Sequence, residues 1–566
     1  MKKLISLLIA IALVLSFAAC TDLNASTSGT TSTTGSANNT GTTQTTQTTQ
    51  ATTTASTTQT TQTTAPEPVI PTKIEAAALV KKAIESFFAA NSFEAVMDVN
   101  MTMGYGGMTV TNSVKSEVFA SSLDKTPVWR ELCTMIEMGE AEVSEVYFAN
   151  GSYYVSEYGF YGKVPNTAES EEAFGWKESY EMFLAEVPAK KGSTNTAAYI
   201  NSVNVLPDGS VEISVDTLEE AVMFSAIVDD LTESLVGEDE DGVTTTVSAP
   251  KETVTIIIDK NGNLKQYSSV IELTVTASMQ GFSQIMTITM DVDTEFEKIG
   301  EAVTVEAPEK PLEDYVETTK DRFAETFAKL AYDEFSEVKD LEAELYTYIE
   351  MDMGFATTEV EMMGKFYGKD YKGETPVVRE MVKMTIGTAD MTADMYYKDG
   401  FYYISSNGQM LKLTKDEYKE LYGNEETDTN DEVLAYLESA TSELSEIYLD
   451  SATGDRCILL YADEQTFELY FAKHIADTKK LLAGESATTN VLIYAPEVSV
   501  TISKEGKLVS CYVAYYISMT LETEPGKTVD VMASVYDEFE VVATENVSVP
   551  APGNLGSYQS PSAEEI

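Results

Sequence analysis

His474 is the only histidine among 566 residues, and the first copy of an internal repeat described below has Ile227 at the matching place. A catalytic triad, a zinc centre or an HExxH protease each needs a histidine with partners, so that chemistry is excluded and His474 is expected to be a partly exposed helix residue. No GxSxG, GxxxxGK[ST] or strand-following GxGxxG run occurs, which removes the commonest hydrolase and nucleotide signatures. The 92 acidic side chains could hide a glycosidase-like acid and base, but no pair stands apart from a solvated surface. Asp259, Asn261 and Asn263 have calcium-ligand chemistry; an EF-hand loop needs glycine sixth and glutamate twelfth, whereas Gly262 is fourth and Val270 twelfth, so this is a hairpin turn. Asp428, Asn430, Asp431 and Glu432 lack the glycine too and read as an acidic loop leading into a helix near Val433. Catalytic residues, metal ligands and cofactors are therefore expected to be none.

The residues with more to offer are apolar. Met97, Met101 and Met103, with Leu345, Ile349, Met351 and Met353, lie on one face of two corresponding strands and are the candidate ligand contacts. Thioethers adapt to irregular apolar shapes, which suits either a surface for a greasy ligand or ordinary core packing. Met384, Met391 and Met395 follow in later strands. Paired tyrosines such as Tyr153, Tyr154, Tyr402 and Tyr403 suit sugar stacking or cross-strand packing, of which the second is the simpler.

The chain's address is written at its start. Lys2 and Lys3 precede an apolar run from Leu4 to Phe17, then Ala18, Ala19 and Cys20, the layout of a secretory signal too short to span the ~30 Å hydrocarbon core as a mature helix. FAAC resembles the lipobox of bacterial lipoproteins, with Phe17 in place of the usual leucine. That resemblance implies cleavage before Cys20 and acyl chains, palmitate among them, on the new terminus. Two or three chains anchor firmly, since each buried methylene adds ~0.8 kcal/mol. Thr21 to about Ala65 is nearly all Thr, Ser, Gln, Gly, Asn and Ala and cannot bury enough apolar surface to order itself. As a coil it spans on the order of 40 Å, a tether suited to crossing a Gram-positive type of wall.

With 37 basic and 92 acidic side chains the net charge is −55, and −57 once the two signal lysines are removed. Nucleic acid is excluded as a partner, because phosphate binding needs a basic patch. An anionic membrane surface repels such a protein, so the acyl chains must hold it to the bilayer. Cys133 stands alone in the first copy and Cys457 with Cys511 in the second, none at matching positions, which leaves only a Cys457–Cys511 bridge open against buried thiols.

What positions these residues is a duplication. Thr126–Lys163 recurs without a gap as Thr375–Lys412, TPVWRE becoming TPVVRE, with Tyr147 on Tyr396, Gly151 on Gly400 and Lys163 on Lys412. Each copy opens with a helical stripe: Ile74, Ala77, Ala78, Val80, Ala83, Ile84, Phe87 and Phe88, then Val316, Phe323, Phe327, Leu330 and Phe335. A strand of strict alternation follows, FEAVMDVNMTM in one copy and LEAELYTYIEMDM in the other. Asn150-Gly151 and Asp399-Gly400 supply two-residue hairpin turns. Asp216, Thr217 and Glu220 read as the cap of an inserted helix carrying Leu218, Val222 and Ile227, answered by Asp463, with Phe224 recurring as Phe471. Long strands close each copy.

This is an α+β class: two tandem copies of a large curved antiparallel sheet, a half-barrel, with helices packed on the concave face. The expected divisions are a signal peptide at 1–19, lipidated Cys20 and a disordered linker over 20–70, repeat one at 71–308, repeat two at 309–549 and a disordered tail at 550–566. The opening helix and strand, the tyrosine hairpins Tyr147–Val155 and Tyr396–Ile404, and the closing IIIDKNGNLKQY and VTISKEGKLVSCY hairpins make the chain resemble the LolA/LppX-like half-barrel lipoproteins, including a tandem Gram-positive group. The resemblance implies an apolar cleft holding acyl chains. It carries no site residue across. The expected function is a non-enzymatic lipoprotein on the outer face of the bacterial cytoplasmic membrane that binds an apolar or amphipathic ligand; the alternative is a structural or sensory envelope protein acting as a spacer or docking module. The oligomeric state is not written in the sequence.

Overall fold

The computed structural model describes residues 69–560 apart from 106–107, 138–139, 178–179, 181–183, 185–196, 198–199, 218–242, 280–281, 355, 407, 423–428, 440–443, 451, 484–485 and 525–526. Cys20, the signal, the linker and the inserted-helix residues Leu218, Glu220, Val222, Phe224 and Ile227 lie outside these, as does Asp428.

Helix α1 (Lys73–Phe88) starts at a capping box in which the Thr72 side chain accepts from the Glu75 N–H and Glu75 reaches back. Strands β1 (Phe93–Tyr105), β2 (Met108–Ser121), β3 (Val128–Glu137), β4 (Glu140–Ala149), β5 (Ser152–Glu157) and β6 (Phe160–Pro165) form a meander, followed by α2 (Ala168–Phe174). β7 (Ile200–Val205), β8 (Val211–Thr217), β9 (Val243–Ile258), β10 (Leu264–Met279) and β11 (Phe282–Ile299) complete the first half. Next come β12 (Val316–Glu317), α3 (Phe323–Ser336), β13 (Leu341–Asp352), β14 (Thr357–Lys369), β15 (Val377–Ile386), β16 (Ala389–Lys398), β17 (Phe401–Ser406) and β18 (Gln409–Thr414). The chain then runs through α4 (Lys415–Tyr422), α5 (Thr429–Ser439), β19 (Leu444–Leu449), β20 (Arg456–Tyr461), α6 (Glu464–Tyr470), α7 (Ala472–Ala483), β21 (Ala487–Ile502), β22 (Leu508–Glu524) and β23 (Lys527–Ala543).

Two large, curved, unclosed sheets result, as the sequence leads one to expect. The first has twelve strands in the order β12-β6-β5-β4-β3-β2-β1-β11-β10-β9-β8-β7, the second eleven in the order β18-β17-β16-β15-β14-β13-β23-β22-β21-β20-β19. In both, the opening long strand pairs antiparallel with the closing one, β1 with β11 and β13 with β23. Asn150 and Gly151 have φ of 53° and 74°, Asp399 and Gly400 53° and 83°, the left-handed geometry that a two-residue hairpin requires.

The chain separates into two compact units, Met1–Asn150 with Phe174–Ala307, and Gly151–Ala173 with Pro308–Ile566. The hairpin β5–β6, which the repeat register places in the first copy, thus belongs to the second unit. There β12 pairs parallel with β6, Phe160 stacks on Phe327 with ring centroids 4.6 Å apart, and Arg456 lies over the Phe160 ring and donates to the Tyr158 carbonyl.

Several local expectations are corrected. α1 buries Val80, Ala83, Ile84 and Phe87 of the expected stripe together with Ala76, while Ile74, in the first turn, and Ala78 are exposed. On α3 the buried face is Phe323, Ala324, Phe327, Ala328, Ala331, Tyr332 and Phe335; Leu330 points outward and Val316 belongs to β12. Asp216 and Thr217 end β8 by pairing with Thr253 and Glu252, and the helix they were expected to cap lies outside the described residues. α5 starts at Thr429, taking Asn430, Asp431 and Glu432 into the helix. Asp463 does cap α6, accepting from the Thr466 N–H.

The tail from 550 is ordered as far as residue 560. Arg379 donates to the Pro550 carbonyl, Tyr558 meets Tyr403 edge-on, and on β18 the Lys412 N–H donates to the Gln559 carbonyl while the Gln559 N–H donates to the Met410 carbonyl. An aromatic residue and an open strand edge hold it. Residues 561–566 lie outside the description.

Candidate functional site

In the first unit the candidate contacts are sealed. Met97, Met101 and Met103 are 1%, 2% and 5% exposed, and their partners across β11, Thr294, Met290 and Ile288, are buried as well. Behind them Phe87, Phe93, Trp176, Tyr180 and Phe296 interlock edge to face, Phe87 and Phe93 at 5.0 Å between centroids. The same face carries Asn112 opposite Met101 and Ser116 opposite Met97; the Ser116 hydroxyl donates to Glu131 at 2.6 Å.

In the second unit the corresponding strand is divided. Leu341, Ala343 and Ile349 are buried, whereas Leu345, Thr347 and Met351 are half-buried; Met353 lies just past the end of β13, in the turn closed by its N–H to the Ala356 carbonyl. Pairing places Asp537, Thr347, Met362, Met384 and Met391 side by side across β23, β13, β14, β15 and β16. All five are only half-buried. Facing residues of an antiparallel ladder share a face, and this is the face on which Phe335 of α3 meets Phe539, 5.6 Å between centroids. The row therefore runs from a carboxylate to three thioethers on the concave, helix-bearing side.

The polar end is held by short contacts. The Thr347 hydroxyl donates to Asp537 Oδ1 at 2.6 Å, and His474 Nδ1 stands 3.7 Å from Asp537 Oδ2. His474 is a partly exposed residue of α7, as expected, with its side chain 9% exposed where the helix turns it onto the sheet beside Tyr515, 5.6 Å away. Its Nε2 has no hydrogen-bond partner among the described residues. Glu432 accepts the N–H groups of Lys473 and His474 at the start of α7, and burial raises its pKa above the usual carboxylate value. Tyr515 donates to Thr478 at 2.8 Å. In the first unit Val99 faces Val292 where Thr347 faces Asp537 in the second.

The opposite face of the same sheet bears a cavity of about 630 Å³. One side is the ladder Glu540, Glu344, Lys365, Met381 and Asp394; the other is Glu538, Tyr346, Met363, Lys383 and Thr392. These residues alternate along each strand with the concave row. Of the seven candidate contacts only Leu345 borders the cavity. Its signal in the sequence was Glu344 and Tyr346, which alternation assigned to the wet face of β13.

The remaining chemistry is quiet. Cys133, Cys457 and Cys511 are free. Cys457 pairs with Thr501 and Cys511 with the neighbouring Val500, so the two thiols point to opposite faces and cannot bridge. Burial pushes the Cys133 thiol up to about 11 and Cys511 up to about 12, away from thiolate reactivity. Asp259 accepts the N–H groups of Asn261 and Asn263 at 2.8 Å each, the turn expected there. Among the described residues no cluster of three or more His, Cys, Asp or Glu side chains could hold a metal ion, and no helix is long and apolar enough to cross a membrane.

No protein-family profile and no curated protein matches the sequence. Among solved structures, LprF from Mycobacterium bovis is similar at 16% identity over 42% of this chain and 99% of its own, with a TM-score of 0.23. A DUF1329 family protein from Desulfovibrio piger is similar at 8% identity over 40% of this chain and 94% of its own, with a TM-score of 0.14.

Proposed function

We propose that the protein is a non-enzymatic, lipid-anchored protein of the bacterial cell surface whose second unit holds an amphipathic ligand on its concave face. The observation that carries this reading is the half-buried row from Asp537 and Thr347 to Met362, Met384 and Met391. Such a row offers adaptable apolar contact along three strands and a hydrogen-bonding carboxylate at one end. A tail lies over the thioethers; a head with N–H or O–H donors meets Asp537. Acylated Cys20 holds the chain to the outer face of the cytoplasmic membrane, and residues 21–70 carry the two folded units away from it.

The first unit fits the other reading. Its matching row is filled by its own side chains, which suits a spacer or docking module.

Native mass spectrometry of protein extracted from its host, paired with uptake of a fluorescent long-chain amine, tests the reading. A bound amphiphile and saturable uptake are expected, with Met384→Glu weakening uptake at least about tenfold, since a charge replaces buried methylenes at ~0.8 kcal/mol each. No co-purifying lipid together with no uptake overturns it. An N-terminal mass without acyl chains removes the anchor.

A further inference from the structure

We propose that the cavity on the wet face of the second sheet is a separate site for an oligosaccharide that bears no acidic groups. The argument begins with its floor. Met363, 44% exposed, and half-buried Met381 and Tyr346 give an apolar base on a face whose other side chains are mostly charged. A sheet face that merely met water would have no reason to place a methionine within each of two otherwise charged and polar ladders. A pyranose has the matching chemistry: an apolar C–H face for rings and thioethers, edged with hydroxyls that both donate and accept.

The walls supply partners for those hydroxyls. Glu344, Glu538, Glu540 and Asp394 accept, and Lys365 and Lys383 donate. These side chains are already oriented. Lys365 is bonded to Glu344, Lys383 stands 3.1 Å from Asp390, and Asp394 is bidentate with Arg379 at 2.7 and 3.0 Å. Partners fixed before binding lose less side-chain entropy when a ligand arrives. Four carboxylates against two ammonium groups leave the lining at net −2, which rejects uronates, phosphates and nucleotides and accepts neutral or amino sugars.

An aromatic platform extends the site. Tyr346 meets Tyr536 edge-on at 6.2 Å, and Tyr536 lies tilted against Tyr512 at 5.1 Å, so three rings cross β13, β23 and β22 in a line beginning at the cavity. Tyr536 donates to Glu538 at 3.0 Å and Tyr512 to Glu497, which fixes both rings. The volume of about 630 Å³ lies inside the usual range for small-molecule sites, and the platform lets a short chain continue beyond it. This site is independent of the concave row.

Isothermal titration of the mature chain in detergent with cellotetraose, chitotetraose, the tetramer of glucosamine and tetragalacturonate tests the proposal. At least one of the first three should bind and tetragalacturonate should not. Tyr346→Ala should weaken binding about tenfold, the loss of one aromatic contact. Met363→Glu, on the exposed floor, should do the same without burying anything new, and it decides the matter if Tyr346→Ala unfolds. Met384→Glu, on the other face, should leave sugar affinity unchanged even though it abolishes amphiphile uptake. Binding of none of the tetramers, equal binding of the uronate, or affinity untouched by Met363→Glu each overturns the proposal.

Discussion

Two strands in matching registers, β1 and β13, meet their surroundings differently. β1 presents Met97, Val99, Met101 and Met103 to a packed interior in which none is more than 5% exposed. β13 presents Leu345, Thr347 and Met351 half-open, and where the first unit sets Val99 against Val292 the second sets Thr347 against Asp537. A duplicated scaffold therefore did not keep a duplicated interior. One copy uses the concave face to stabilise itself, and the other leaves part of it available and places a carboxylate there. A carboxylate on an apolar face costs desolvation unless it is bonded, and Asp537 is bonded by Thr347 and stands beside His474.

The sharpest way to break that contrast is to import the second unit's chemistry into the first. Val292→Asp should destabilise the first unit by on the order of 3–5 kcal/mol, because Val99 offers no hydroxyl and the site is 1% exposed. Both tryptophans, Trp129 and Trp176, lie in the first unit, so urea unfolding followed by their fluorescence reports it alone. Next in size, Met101→Ala should cost about 2–5 kcal/mol in the same assay through an uncollapsed cavity. Met351→Ala should cost about 0.5 kcal/mol and leave the tryptophan transition in place, since that side chain is already half in water. Equal losses at the two positions would erase the distinction between a sealed and an open face.

The smallest effect is a pH dependence. Burial raises the Glu432 pKa above its unfolded value, so between the two values the folded state holds more proton than the unfolded state. Its contribution is therefore full below the unfolded value near 4.5 and declines as pH rises through the raised folded value. Glu432→Gln keeps the acceptor for the Lys473 and His474 N–H groups while removing the titration, so stability of the second unit should fall less steeply above pH 4.5 in the variant. Tyrosine circular dichroism during urea unfolding at several pH values measures this. Identical slopes would mean that Glu432 is as well solvated folded as unfolded.

Much of this molecule could be read from the chain because strand alternation is a local signal: β1 follows its period-two pattern residue by residue, β13 does so at Leu341, Ala343 and Ile349, and the hairpin turns follow from Asn-Gly and Asp-Gly. The helix faces were less legible. Ile74 looked buried and is not, because it lies in the first turn of α1, ahead of Ala76, the first buried residue of that helix. His474 read as partly exposed and is so, but no local signal showed that Tyr515 and Asp537, residues distant in sequence, lie against its side chain. The cavity joins Glu540 to Asp394 across five strands, and no local pattern specifies which charged residues of a wet face gather around methionine. The tail looked bare, yet Tyr558 and Gln559 find a ring and a strand edge far upstream.

The hairpin Ser152–Pro165 has a consequence for how the chain must be made. It leaves the ribosome well before Phe327 exists to receive Phe160, and before Arg456 can bond the Tyr158 carbonyl. Synthesis therefore completes the second unit only by drawing on a ribbon already finished upstream. A gene cut at Pro308 would yield a carboxy-terminal product with the Phe323 and Phe327 rings uncovered, prone to self-association until the missing ribbon is supplied in trans.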